Sequence, residues 1–371
     1  MRMRRPAVKS VGAWLALAVL IVALGGTHHE FFSAGNIRNV LGTNASLLVV
    51  SAGMTVVVIS GGIDLSVGAI MAVAQLLFQA LHGVPGWLAI VIVLAAGFTI
   101  GALVNGVLIG IARLNFFVVT LASMTFGYGI VDVVTNASTT VLTAPLLLAL
   151  GNDLVLGIPM PAVIFVGLLA VLAIVLRRTT LGRAIYSVGG NPEAARLAGI
   201  PIPAVTVVVY GISGLCGALG GVIEAGRFMA ATPTTGSTIA LTSVAAVLLG
   251  GTSLKGGTGS LAGTVAGVLV IGVLANGVNL LGINSYWQGV VTGLVLVAAV
   301  ALDRFRYLRS FRIRRITGPR LAVSADAETG EPAPVGGEPA GSPYRDRGDQ
   351  GLPVPQPIIW WTSKFCGISP N

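Results

Sequence analysis

The stretch GGIDLSVGA, Gly61 to Ala69, is a polar segment with one acidic residue between two strongly apolar runs. The runs, residues 45–62 and 66–82, are long enough to predict membrane-spanning helices. Asp64 is one of seven acidic residues before Gly318, and a carboxylate at the centre of a bilayer costs about 2.5–3.5 kcal/mol. The segment therefore predicts a break between two spans, where one helix ends and the backbone turns.

Four residues of this segment are candidates for a hinge or gate. Gly61 and Gly62 allow the first helix to end, because glycine adopts backbone angles that stop a helix. Asp64 or Ser66 is suited to accept hydrogen bonds from the free N–H groups of a helix that begins near Val67. Such a capping role does not exclude a role in transport.

The composition extends the membrane interpretation to the whole chain. Of the 371 residues, 54% are hydrophobic and 9% are charged, and the mean hydropathy is +0.90. Apolar runs of this length predict helices, because the strands of a membrane barrel show ten-residue alternation. We therefore predict an all-α fold, a polytopic helix bundle with about ten transmembrane helices. The predicted spans are 11–29, 45–62, 66–82, 86–112, 115–136, 158–176, 204–225, 238–252, 260–281 and 286–303.

The basic residues predict the orientation of the bundle. With a cytoplasmic N-terminus, the inner segments hold sixteen Lys and Arg residues before Gly318, and the outer segments hold only Arg38 and Arg227. This asymmetry follows the positive-inside rule, so both termini are predicted to be cytoplasmic. The hinge then lies at the inner end of the second span. Because the cations are scattered between spans without interleaved aromatic residues, no nucleic-acid partner is predicted.

The same patterns divide the chain into regions. Residues 1–10 are predicted to form a basic cytoplasmic N-terminus, residues 11–303 the transmembrane domain with a hydrophilic cytoplasmic segment at 177–203, and residues 304–317 a basic juxtamembrane segment. The tail 318–371 carries nine of the 18 prolines and six of the 13 acidic residues, so it is predicted to be disordered. Glycines four residues apart, including Gly97 with Gly101 and Gly217 with Gly221, predict close helix packing.

Motifs for catalysis, metals and cofactors are missing. His28 and His29 are adjacent and His82 stands alone, so no metal pair at helical spacing and no catalytic triad can be proposed. In GGTSLKGGTGS, residues 250–260, Lys255 is followed by glycine, whereas a phosphate loop needs Ser or Thr there. We predict no metal, no cofactor and no ATP hydrolysis by this chain.

The cytoplasmic segment 177–203 contains a short predicted helix. Asn191 suits the N-cap, Pro192 the first turn, Glu193 the positive end of the helix dipole and Gly199 the C-terminal stop. An amphipathic helix lying on the lipid headgroups is the alternative interpretation of this pattern.

The segment EAARLAG, Glu193 to Gly199, resembles the EAA motif of permease subunits in ATP-binding-cassette (ABC) importers. Over about residues 31–303 the chain is similar to the ribose-type monosaccharide permeases. The motifs that carry the resemblance are GGIDLSVG at 61–68, RTTLGRAIYSVGGNPEAARLAGI at 178–200, LGGTSLKGG at 249–257 and NGVNLLGINSYWQ at 276–288.

The resemblance implies a ten-helix subunit of a bacterial inner membrane, surrounded by lipid, that dimerises with a second permease copy. It would receive a monosaccharide, ribose-, xylose- or galactose-like, from an extracytoplasmic binding protein, and a cytoplasmic ATPase would drive transport. The residues it assigns to ATPase coupling are Asn191, Pro192, Glu193, Ala194, Ala195, Arg196 and Gly199.

Two further groups of residues are candidates for binding and passage. The family's outer face has a Glu-x-x-Arg step, here Glu224 and Arg227; with Arg38, Arg227 is expected to meet acidic residues of the binding protein. Anchoring to lipid headgroups is the alternative. For the translocation path the polar candidates are Thr125, Asn276 and Asn279, for which interhelical hydrogen bonding is an equal alternative.

Other functions remain open at this point. A permease for branched-chain amino acids or nucleosides would share this architecture. An ion-coupled secondary transporter would need an ionisable relay, for which Asp132, Glu224 and Asp64 could serve. A structural or assembly factor would show no substrate-dependent activity.

Overall fold

The computed structural model describes residues 11–284 and, beyond them, residues 287, 289, 290, 293, 294 and 297. The predictions for the N-terminus 1–10, for most of the span 286–303, for the juxtamembrane segment 304–317 and for the tail 318–371 lie outside the described residues. They remain predictions.

Helices make up most of the described chain. In order they are α1 Val11–Thr27, α2 Ala34–Ser60, α3 Val67–Ala80, α4 Gly86–Thr99, a π-helical segment Ile100–Gly106 that continues into α5 Val107–Gly110, α6 Phe116–Thr135, α7 Pro145–Asn152, α8 Met160–Arg178, α9 Thr180–Gly190, α10 Pro192–Leu197, α11 Ile202–Phe228, α12 Ile239–Leu249 and α13 Leu261–Leu280, with a 3-10 turn at His29–Phe32. Two antiparallel pairs of two-residue strands join the loops: β1 Thr140–Val141 with β4 Ala230–Ala231, and β2 Leu154–Val155 with β3 Ile158–Pro159.

The helical class of the fold is confirmed. Within the described residues, six helices are long and apolar enough to cross a membrane, and α1, α3 and α12 are shorter apolar helices. Each overlaps one of the first nine predicted spans. The largest difference is at α2, which begins at Ala34 where Ser33 accepts the N–H of Asn36. Hydropathy placed this start at residue 45, because the first turns of α2 are polar.

The long helix α11 lies at the centre of the bundle. It packs against α2, α3, α4, the π segment and α7. Close approach is possible because glycines meet at the crossings: a methyl group on Gly101 would overlap the Tyr210 carbonyl, and one on Gly214 would overlap that of Gly97. Gly221 lies similarly close to the backbone of Met71 in α3. The glycine stripes predicted from the sequence are thus packing surfaces.

Two of the apolar helices are too short to cross a bilayer alone. α3 has 14 residues and α12 has 11, which correspond to about 21 and 17 Å of helix, against about 30 Å of hydrocarbon. Each follows a non-helical segment, the hinge at residues 61–66 and the loop at 229–238. These two segments therefore supply part of the depth of the bundle.

The described loops gather at two ends. At one end the hinge, α9 and the turn after α12 meet, and the Gly257 N–H donates to the Ile59 carbonyl at 2.8 Å. At the other end, the start of α2 meets the β2–β3 turn, through Arg38 and Gly157, and the end of α13, through Asn36 and Asn276. Which end faces the cytoplasm stays a prediction.

Candidate functional site

The short helix α10 is built as its sequence predicts. The Asn191 side chain accepts the N–H of Ala194 at 3.0 Å, Pro192 occupies the first turn, and Gly199 has a φ of +78° just beyond the helix. Arg196 Nη2 lies 2.5 Å from Glu193 Oε1 in an exposed ion pair. Such a surface pair contributes little stability. The caps at its two ends therefore define where α10 begins and ends.

The surface of α10 is open to a partner. Of its six residues, only Ala195 is buried, and it belongs to the main apolar core. Leu197 keeps 77% of its surface exposed. A short capped helix that presents an apolar side chain and a charged pair can dock into a groove on another protein.

A junction of four glycines joins α9, which precedes α10, to the hinge. The four are Gly61, Gly189, Gly256 and Gly257. A methyl group on Gly189 would overlap the Ile59 carbonyl at the end of α2, and one on Gly256 would lie 3.0 Å from the Cα of Gly61. The backbones of α9, the hinge and the 253–259 turn are therefore in direct contact. This glycine junction provides a route by which a movement of α9 and α10 reaches the hinge.

Tyr186 adds a side-chain link between α9 and the 253–259 turn. Its hydroxyl donates to the Gly259 carbonyl at 3.1 Å. Burial raises the pKa of the Tyr186 hydroxyl above its ordinary value, so the proton is retained for this hydrogen bond.

The hinge itself is held by a buried polar chain. Asp64 has no exposed surface, and its Oδ1 accepts the Ser66 N–H at 3.0 Å and the Ser66 hydroxyl at 2.6 Å. Asn105 Nδ2 donates to Ser66 Oγ at 2.7 Å, and the Ser123 hydroxyl donates to Asn105 Oδ1 at 2.6 Å. The chain ties the hinge to the π segment and to α6.

The predicted helix end is confirmed at Gly61, and the predicted capping of α3 by Asp64 or Ser66 is wrong; a role of these residues as a hinge or gate stays a prediction. Gly61 adopts a φ of +93° and ends α2. Among the described residues no side chain caps α3; Asp64 instead accepts the N–H of Ser66, one residue before the helix begins. The predicted capping interaction is replaced by a tight turn that closes on its own serine.

Sequence reasoning missed the partners of the hinge. Asn105 and Ser123 complete the polar chain, and the Tyr210 hydroxyl on α11 lies 3.4 Å from the Ile63 carbonyl. The sequence carries a signal for Asn105, since it is a lone amide in the apolar run 86–112. In the structure its side chain is fully buried. The signal for Ser123 and Tyr210 is weaker, because both residue types are common in helix interfaces.

The candidate outer residues lie at the opposite end of the bundle. Arg38 donates to the Gly157 carbonyl at 3.1 Å, and Arg227 donates to the Thr43 hydroxyl at 3.0 Å. Glu224 lies one turn before Arg227 on α11 and is partly buried. The structure brings these groups to one end of the bundle, and Arg38 remains exposed.

The three path candidates do not form one cluster. Asn276 exchanges two hydrogen bonds with Asn36, at 3.1 and 2.7 Å, so it joins α13 to α2 as the interhelical alternative expected. Asn279 lies exposed near the end of α13. Thr125 is exposed on α6 and donates to the Leu121 carbonyl of its own helix at 3.0 Å.

Comparison with known proteins gives the family. Residues 36–300 match the family described as "Branched-chain amino acid transport system / permease component". The chain is 38% identical over 261 residues to the ribose import permease protein RbsC of Haemophilus influenzae, covering 69% of this chain and 80% of that protein. It is 40% identical over 264 residues to RbsC of Bacillus subtilis, covering 70% and 82%.

A third relative is the fructose import permease protein FruF of Bifidobacterium longum, which is 36% identical over 270 residues, or 68% of this chain and 76% of that protein. No solved structure matches the chain. Together with the apolar bundle, these matches define a multi-pass inner-membrane permease, a transporter component and not an enzyme. The chain belongs to the permease family that residues 36–300 match. It is the permease subunit of an ABC importer. An importer of this class implies an ATPase and a binding protein as partners.

Proposed function

We propose that this chain translocates a monosaccharide across the membrane. An extracytoplasmic binding protein delivers the sugar, and a separate ATPase subunit drives its transport. The observation that carries the proposal is the similarity to ribose and fructose import permeases at 36–40% identity over 76–82% of their lengths. The alternative substrate is a branched-chain amino acid, which the description of the family favours.

The arrangement in the membrane follows from the charge pattern. We propose ten transmembrane helices with both termini in the cytoplasm, and a second copy of the chain as the partner in the lipid bilayer. The end of the bundle that carries α10 and Lys255 would then face the cytoplasm.

The coupling residues act through α10. Asn191, Pro192 and Gly199 fix the length of the helix, while Glu193, Ala194, Arg196 and Leu197 present its exposed surface to the ATPase, and Ala195 anchors it to the core. When the ATPase moves α10 and α9 as a rigid pair, the glycine junction transmits the displacement to the hinge. Gly61, Gly62, Asp64 and Ser66 would then act as the gate.

At the outer end, the proposal assigns Arg38 and Arg227 to acidic residues of the binding protein, with Glu224 positioned one turn from Arg227. Long-range attraction between opposite charges speeds the encounter of two proteins. The hydrogen bonds to Gly157 and Thr43 hold the two guanidinium groups in place for this contact.

Reconstitution tests the proposed function. The permease, its ATPase and its binding protein are placed in proteoliposomes, and uptake of radiolabelled ribose, fructose and leucine is compared. We expect sugar uptake that requires ATP and persists without a cation gradient. Leucine uptake without sugar uptake would establish the amino-acid alternative, and uptake that follows a cation gradient without ATP would establish a secondary transporter.

A further inference from the structure

The connection between α11 and α12 enters the bundle without forming a helix. After β4, residues 232–238, here called the threonine loop, have the sequence TPTTGST and form consecutive turns before α12 begins at Ile239. The predicted span 238–252 begins where this loop ends. Because α12 has only 11 residues, too few to cross a bilayer alone, the loop and the short helix together make this crossing.

Side chains of two neighbouring helices hold the loop. Gln75 Oε1 on α3 accepts the Thr232 N–H at 2.9 Å and the Thr235 hydroxyl at 3.0 Å, while Gln75 Nε2 donates to the Gly221 carbonyl at 3.3 Å. The Tyr128 hydroxyl on α6 donates to the Thr235 carbonyl at 3.0 Å. Gln75 is itself buried, so this support is not a surface contact.

The loop runs down along α3 towards the hinge. Thr232 and Thr235 both bond the long Gln75 side chain. The next residue, Gly236, contacts Gly68 in the first turn of α3, where a methyl group on either glycine would overlap the other backbone. Seven residues of helix separate the two anchors, which is about 10 Å. The loop therefore lies along the first half of α3, between Gln75 and Gly68.

One side of the loop is covered by protein and the other is open. Pro233 and Thr235 are buried, whereas Thr234, Ser237 and Thr238 are exposed. Irregular backbone at membrane depth is tolerated where it is buried in protein or lines a water-filled cavity, and not where it faces lipid. We infer that Thr234, Ser237 and Thr238 line the aqueous translocation path and make the transient hydrogen bonds that guide the solute through it.

The chemistry of the loop selects a class of solute. Residues 229–242 carry no ionisable side chain, so this part of the path offers hydroxyl groups and backbone dipoles. These suit a neutral polyhydroxylated molecule, because a zwitterionic amino acid would lose hydration at both charges without gaining a counter-charge there. The inference rests on the proposed sugar transport and names the residues that the solute meets.

Cysteine labelling tests the position of the loop without using transport as the readout. Thr234→Cys, Ser237→Cys and Thr238→Cys are made in a Cys366→Ser parent that keeps the buried Cys216, and are treated with a charged, membrane-impermeant methanethiosulfonate in the reconstituted complex. Leu156→Cys, in the exposed β2–β3 turn, is the water-accessible control. Val171→Cys, on the exposed apolar face of α8, is the membrane-facing control.

We expect modification at all three loop positions and at Leu156→Cys, no modification at Val171→Cys, and at least twofold slower modification of the loop positions when the transported sugar is present. Unmodified loop cysteines in a complex whose parent still imports sugar would overturn the inference. A parent that imports no sugar would instead count against the proposed function, so the two failures are distinguishable.

A second set of variants tests contact with the solute. Thr234→Val and Thr238→Val preserve side-chain volume and Ser237→Ala removes a single hydroxyl, so the triple variant keeps the fold and loses the hydrogen bonds. We expect uptake efficiency to fall about tenfold, since each hydrogen bond contributes modestly. The control is Thr206→Val on α11, whose hydroxyl bonds its own helix. Unchanged uptake by the triple variant would show that the loop does not guide the solute.

Discussion

Asp64 illustrates how a carboxylate can be held inside an apolar bundle. Its Oδ1 accepts two hydrogen bonds from Ser66, and the Ser66 hydroxyl in turn accepts from Asn105. Removing one member leaves buried polar groups without partners, which costs more than the hydrogen bond itself gained. The polar chain therefore behaves as one unit that fixes the angle of the hinge.

Asp64→Ala is expected to lower the free energy of unfolding by about 1–3 kcal/mol and to reduce uptake with it, because the turn at the start of α3 loses its acceptor. Thermal unfolding of the purified permease measures the first effect and reconstituted uptake the second. Asp153→Ala, at an exposed loop position, is the matched control and is expected to have little effect. Equal unfolding temperatures for Asp64→Ala and the wild type would refute this role.

Gly189 makes a very close backbone contact between α9 and the end of α2. Gly189→Ala would place a methyl group against the Ile59 carbonyl, so we expect about 1–3 kcal/mol of destabilisation and a loss of substrate-stimulated ATPase activity. Gly190→Ala is the matched control, because its methyl group would meet only the Cα of Gly257 at an ordinary distance of 3.9 Å. If both variants behave alike in unfolding and ATPase assays, the close contact at Gly189 is not essential.

Among the elements, α10 is the one that we propose binds the ATPase subunit through its exposed residues. We expect Leu197→Glu to weaken binding of the ATPase subunit about tenfold, with no change in the unfolding temperature, because the side chain is 77% exposed. Affinity measured in detergent micelles tests this. Leu156→Glu, at a position 98% exposed at the other end of the bundle, should leave ATPase affinity unchanged. A similar loss in both variants would argue against docking through α10.

The elements differ in how far the sequence predicts them. The caps of α10 are local, and Asn191, Pro192 and Gly199 are readable because each acts within a few residues of its position. The hinge partners are not local: Ser66 and Asn105 are 39 residues apart, and Gln75 and Thr235 are 160 apart. The threonine loop escaped notice because it is uncharged and borders an apolar run. Hydropathy placed α12 within the predicted span 238–252, but it gives no signal for polar, uncharged residues that enter the bundle before the helix begins.

At the level of the whole molecule, the proposed function gives the two ends of the bundle different tasks. α2 joins them, since it contacts Arg227 through Thr43 near its start and meets Gly257 through Ile59 near its end. Because α2 is one continuous helix of 27 residues, a rigid-body shift of this helix would move both of its ends together. A displacement at the end of the bundle that carries α10 is therefore expected to move the end that carries Arg227.

Arg227→Glu tests the outer end. We expect ATPase stimulation by the binding protein to fall several-fold at low ionic strength and the difference to shrink as salt is added, because exposed charges are screened over about 10 Å at 0.1 M salt. Thr43→Ala removes the hydrogen bond to Arg227 and keeps the charge, so it separates local structure from attraction. Stimulation that is unchanged in Arg227→Glu would remove this residue from the binding-protein contact.

The half-length helix α12 has a consequence for how such a permease diversifies. The frame of the bundle depends on glycine crossings and on the buried core, whereas the threonine loop is held at Gln75, Tyr128 and the Gly68–Gly236 contact. Thr234 lies between the Thr232 and Thr235 anchors, Ser237 and Thr238 follow the Gly236 contact, and all three residues are exposed. Exchanges at these three positions could redirect the permease to a new solute while the helices keep their places, so specificity and folding can evolve separately.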